Sequence, residues 1–127
     1  MHLFYIALGG AIGSLGRYYA ALAFTALTGT WLPWGTVLVN ITGSFVIGCA
    51  GGAFISGEPA TLSPVIRYFV IAGLCGGYTT FSAFSLQTVE LLQVGLPGRA
   101  LLHVVLSVVA CVLATAVGYG LSAALTR

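Results

Sequence analysis

The residues best suited to chemistry in this chain sit where a membrane protein can least easily hold them. Residues 73–87 read Gly-Leu-Cys-Gly-Gly-Tyr-Thr-Thr-Phe-Ser-Ala-Phe-Ser-Leu-Gln inside an apolar run long enough to cross a bilayer. Glycines followed by a Thr/Ser-rich stretch predict a helix interrupted near Gly73–Thr80. Hydrocarbon offers backbone groups no hydrogen bonds, so such a break must be buried in protein or line a pathway. Phe81 and Phe84 are three residues apart, which brings their rings together on a helix, and Phe81, Ser85 and Thr88 share a face. Phenylalanine stripes ordinarily mean lipid contact or core. These alternate with Thr79, Thr80, Ser82 and Ser85, and ring edges carry partial positive charge able to touch an anion without gripping it.

Further candidates fall on the neighbouring runs. Thr36, Asn40, Ser44, Gly48 and Gly52 recur every fourth residue and form one drifting face. The small residues serve close helix packing, whereas a carboxamide at mid-depth is costly unless its donors and acceptor are engaged. His103, Ser107, Cys111 and Thr115 repeat the same spacing, as a polar track or a packed seam, with His103 near the interface or lining the track. Arg17 falls well inside an apolar stretch. It either snorkels to the interface or sets a positive potential at the mouth of an anion route.

The elements that carry these residues follow from composition. The chain has 127 residues, of which 59% are hydrophobic and 5% charged, too few charges to keep a soluble surface in water. Four spans are expected, at about 3–27, 33–55, 65–94 and 99–125, separated by breaker clusters at Thr28-Gly29-Thr30, Gly57-Glu58-Pro59 and Gly95 to Pro97-Gly98. They leave no room for a soluble domain, so residues 1–127 read as one transmembrane unit, all-α, with its third helix broken mid-membrane. Cys49, Cys75 and Cys111 lack metal-ligand spacing and read as small buried hydrophobes. No positive segment precedes the first apolar run, which argues against a cleaved signal peptide, and the Asn40-Ile41-Thr42 sequon lies mid-span, away from any transferase. With four spans, Arg67 and Arg127 fall on one side and Arg99 on the other. So small a bias permits insertion in both orientations, and an antiparallel, dual-topology homodimer would follow.

The residues resemble those of the Fluc (CrcB) family of fluoride channels over three spans. The match runs through Gly9-Gly10-Ala11-Ile12-Gly13-Ser14-Leu15-Gly16-Arg17-Tyr18 and Gly35-Thr36-Val37-Leu38-Val39-Asn40-Ile41-Thr42-Gly43-Ser44-Phe45. It is strongest at Gly76-Gly77-Tyr78-Thr79-Thr80-Phe81-Ser82-Ala83-Phe84-Ser85. The resemblance implies a dual-topology homodimer in the inner cell membrane, two fluoride pores and a structural sodium ion held by the backbone carbonyls of Gly76 and Thr79. It implies passive fluoride export that relieves fluoride toxicity. Asn40 would donate hydrogen bonds near the pore, Phe81 and Phe84 would line it, Ser107 would lie on the polar track, and Arg17 matches the family arginine. Ser82 and Ser85 complete the expected ion-pathway set. A pore must replace the water around fluoride with close donors while leaving exit easy, and amides, hydroxyls and ring edges suit that task.

Two positions depart from the family pattern: Ala83 stands for the middle threonine, and Gln87 for a glutamate. The first removes a hydroxyl and the second a titratable anion, changes that read as tuning of conductance or pH dependence. A dual-topology multidrug exporter would need a membrane-embedded carboxylate, but Glu58 falls in a connection and Glu90 near the end of span three. A non-conducting scaffold subunit would leave Asn40 and the break without a purpose. Nothing marks an enzyme or a nucleic-acid binder. There is no Asp, the two histidines are far apart, and no basic patch exists.

Overall fold

In the computed structural model, residues 1–56 and 63–125 are described. The expected breaker at Gly57-Glu58-Pro59 and the charge of Arg127 lie outside them. The chain folds as α1 (His2–Thr28), α2 (Trp34–Ser56), an α3 over residues 64–78, α4 (Phe81–Gln93) and α5 (Pro97–Leu125). Gly29 ends α1 with φ +79° and Gly95 turns α4 into α5 with φ +77°, a backbone geometry that glycine adopts without a Cβ penalty. Pro64 and Pro97 open the helices after them, where a missing N–H costs nothing.

Residues 34–54, 64–93 and 97–125 are each long and apolar enough to cross a bilayer. The 27-residue α1 matches them in length, at about 40 Å. Arg17, three tyrosines and five glycines and serines among its first 19 residues make it less apolar. The chain is a multi-pass membrane protein built on these helices.

α3 is not uniform. It begins as an α-helix over Pro64–Arg67, widens to a π-helix over Tyr68–Cys75 and closes as α-helix over Gly76–Tyr78. The Gly76 N–H donates to both the Gly73 and the Ile71 carbonyls. The expectation of a break spread across Gly73–Thr80 is thus corrected. Gly73 to Tyr78 stay helical, and only Thr79 (φ −82°, ψ 157°) and Thr80 (φ −149°, ψ 116°) are extended. The glycines serve packing instead. A methyl group on Gly77 would come within 2.5 Å of the Gly10 carbonyl oxygen, and one on Gly73 within 2.9 Å of that of Ile6. α1 and α3 therefore meet backbone to backbone, and α2 meets α5 in the same way, with Gly48 against Thr115 and Gly118 against Phe45. Small residues permit this approach where the hydrophobic effect cannot drive helices together.

Candidate functional site

The site grows from the two extended residues between α3 and α4. Asn40, from the second turn of α2, pairs with the backbone of Thr80 on both sides: its Nδ2 donates to the Thr80 carbonyl at 3.0 Å, and the Thr80 N–H donates to its Oδ1 at 2.8 Å. A carboxamide has the donor and acceptor geometry of a peptide group, so it completes a strand-like pairing where the helix stops. Thr80 also starts α4, its Oγ1 accepting from the Ala83 N–H at 3.1 Å as a helix N-cap. Ser82 Oγ lies 3.2 Å from the same oxygen.

These bonds redirect the donors an unbroken helix would use. The Thr80 N–H would have reached the Gly76 carbonyl but goes to Asn40, and the Ala83 N–H would have reached the Thr79 carbonyl but goes to Thr80 Oγ1. The helix thereby releases the carbonyl oxygens of Gly76 and Thr79. Between them the Gly77 carbonyl accepts from Arg17 Nε at 3.1 Å, a cation at the negative end of α3.

A groove of about 430 Å³ opens beside this junction, lined by Asn40, Ser44, Thr79, Thr80, Phe81, Phe84, Ser107 and Cys111, with Ile47, Val108 and Val112 as apolar wall. The phenylalanine rings are 5.2 Å apart, and Phe84 is buried while Phe81 is 77% exposed. Behind Phe84 stands His103, its ring 5.1 Å away. Ser107 is buried one turn further along α5, its hydroxyl without a partner among the described residues.

The expected residues do not all gather here. Asn40, Phe81, Phe84 and Ser107 line the groove. Arg17 lines a second cavity of about 600 Å³, with Ser14, Thr36 and Ala83, on the other side of the Asn40–Thr80 pairing. Of the two roles open to Arg17, the bond to Gly77 supplies a third, holding the end of α3. Ser82 is exposed beside Thr80, and Ser85 donates to its own helix at the Phe81 carbonyl, 2.9 Å away. Thr115 seals α5 to α2 by donating to the Ser44 carbonyl at 3.1 Å. The upper part of the α5 stripe is thus a seam, and the part through Ser107 and Cys111 faces the groove. The π-helix and the N-cap at Thr80 both went unread in the sequence: no residue pattern announces the first, and the signal for the second is a threonine directly before a helical run.

Membrane-length helices around a discontinuous span, with released carbonyls beside a groove of amide, hydroxyl and aromatic groups, define a protein that handles ions at mid-membrane depth. The chain belongs to the CrcB family: the model described as "CrcB-like protein, Camphor Resistance (CrcB)" matches residues 4–119. A protein of Methylobacterium radiotolerans named fluoride-specific ion channel FluC is 47% identical over 93% of this chain and 82% of its own length. Proteins of the same name from Methylocella silvestris and Rhizobium meliloti are 42% and 43% identical, covering 97% and 98% of their own lengths.

Proposed function

We infer that this chain is a fluoride-selective channel that lets fluoride leave the cell passively across the inner membrane and so limits fluoride toxicity. The groove carries this reading, and relatives of 42–47% identity named as fluoride-specific channels support it. The groove offers hydrogen-bond donors (the second Nδ2 hydrogen of Asn40, the Ser107 hydroxyl) and two aromatic edges, but no cation that would trap the ion. An exporter of cationic drugs finds no support. Glu90 is exposed and outside the groove, and Glu58 lies outside the described residues.

The working unit is an antiparallel, dual-topology homodimer in which α1 serves as the fourth span. Gly76 is exposed on the single chain although its carbonyl has lost its helical donor, and Phe81, Val108 and Val112 form an open apolar rim. A free carbonyl facing lipid is costly, so a second copy over this face removes the penalty and closes the groove. A structural sodium ion fits the same place. Its natural ligands are oxygens, unwound backbone carbonyls supply them in membrane proteins, and the Gly76 and Thr79 carbonyls are among those released where α3 ends. From both copies these would hold the ion, whose charge would lock the broken helices together and favour anions nearby.

Purified protein in liposomes loaded with fluoride and chloride tests the reading with ion-selective electrodes. Rapid fluoride loss with chloride retained is expected. Retention of both ions, or equal loss of both, refutes selective conduction.

A further inference from the structure

His103 is completely buried, at 0% exposure, yet one of its two ring nitrogens, Nε2, has no hydrogen-bond partner among the described residues. The other, Nδ1, lies 3.1 Å from Thr88 Oγ1. Thr88 has a single hydroxyl proton, and it donates that proton to the Phe84 carbonyl at 2.8 Å. Both contacts are hydrogen bonds at once in the tautomer whose Nδ1–H donates to the Thr88 oxygen. A neutral imidazole has one N–H, which leaves Nε2 as a bare lone pair. One turn further along α5, Ser107 Oγ is also buried without a partner among the described residues, and Ser107 lines the groove.

A bare lone pair at this depth opposes an anion, because its negative end has nothing to offset it. A proton added at Nε2 reverses the sign: the ring becomes a cation with a charge-assisted donor, tilted against the Phe84 ring that lines the groove. We propose that His103 is the proton-controlled determinant of conduction, with fluoride passing the Phe84–Ser107 end of the groove fastest when Nε2 is protonated. The proposal rests on the fluoride-channel reading and adds its regulation. Histidine is the side chain whose unperturbed charge change lies near neutral pH, and the proton comes from and returns to bulk water.

Few other groups could produce the same response. The only titratable side chain on α2 is Cys49. On α4 it is Glu90, which is exposed and two residues from Thr88, so about 200° around the helix from it. On α5, Arg99 is one turn before His103 but stacks over Trp31 at 4.9 Å, and Cys111 lies two turns beyond.

The test is fluoride efflux from liposomes at matched internal and external pH, with the leak of protein-free liposomes subtracted. The wild-type rate is expected to rise at least about fivefold between about pH 8 and about pH 5.5, and His103→Gln to flatten that profile. Thr88→Val removes the acceptor that holds the proton on Nδ1, so the neutral ring can place it on Nε2. That variant should conduct faster than wild type at the alkaline end, shrinking the ratio between the two pH values. A conducting wild type with a flat profile, or His103→Gln with the wild-type slope, overturns the proposal. If His103→Gln fails to assemble, Thr88→Val decides, and an unchanged ratio there overturns it too. Absence of fluoride flux at every pH would refute the channel reading itself, and this regulation with it.

Discussion

Replacing Asn40 with leucine removes both hydrogen bonds to Thr80 at once while keeping the branched shape of the side chain. The Thr80 N–H and carbonyl, paired at 2.8 Å and 3.0 Å in the wild type, then have no partner. An unsatisfied buried polar group costs about 1–3 kcal/mol, so two cost about 2–6 kcal/mol. Asn40 is only half-buried and opens on the groove, where water can reach it, which favours the lower part of that range. Even about 2 kcal/mol is a large share of a stability of about 5–15 kcal/mol. The Thr80 N–H would also be free to turn back toward Gly76, restoring helix and withdrawing that carbonyl from the junction. Asn40→Leu is therefore expected to lower the unfolding temperature in detergent, followed by size-exclusion after heating, and to abolish fluoride efflux. Asn40→Asp should fall between. Ionised, it still accepts from the Thr80 N–H, but its second oxygen faces the Thr80 carbonyl, acceptor against acceptor, and adds a negative charge to the groove. If Asn40→Leu unfolds at the wild-type temperature and conducts at the wild-type rate, the pairing does not hold the break open and the reasoning fails.

Phe81→Ile should cut fluoride efflux about tenfold or more with no loss of thermal stability in the single chain, since the ring is 77% exposed there. Phe84→Ile should lose flux and also about 1–3 kcal/mol of stability, because Phe84 is buried against His103; unchanged flux in both variants removes the rings from the mechanism. Gly77→Ala places a methyl 2.5 Å from the Gly10 carbonyl oxygen and should cost about 1–3 kcal/mol, whereas Gly120→Ala meets open space and should be neutral, as paired heating curves would show. Thr80→Ala removes the N-cap of α4 and should cost about 1 kcal/mol by the same measurement. Exchanging sodium for a bulky organic cation should slow efflux and loosen the dimer in light scattering, while Arg17→Gln, which acts on the other side of the junction, should leave that sodium dependence in place.

How much of this was legible varies from element to element. The four long helices, the turns at Gly29 and Gly95, and the pairing of Phe81 with Phe84 follow from local rules about apolar length, glycine and helical spacing. The small-residue stripes were legible as packing faces, and Gly48 and Gly118 use them so. The break itself was placed too broadly. Glycine runs read as helix breakers, yet in α3 they remain helical, and at Gly73 and Gly77 α1 lies too close to leave space for a side chain. Arg17 was ambiguous in sequence for a related reason: its partner is the Gly77 carbonyl, 60 positions away, and no spacing rule connects the two.

By itself the sequence determined that the chain lives in a membrane, how its spans are cut and which polar residues must be accounted for at depth. Hydrophobic length and turn chemistry act over a few residues and are written in order along the chain. Which backbone carbonyls are released, which hydroxyl lacks a partner and which side of the Asn40–Thr80 pairing Arg17 occupies were decided only by tertiary structure. Each depends on where a single proton or lone pair is directed, and that direction is set by groups 40 to 60 residues apart that only folding brings within 3.1 Å of one another.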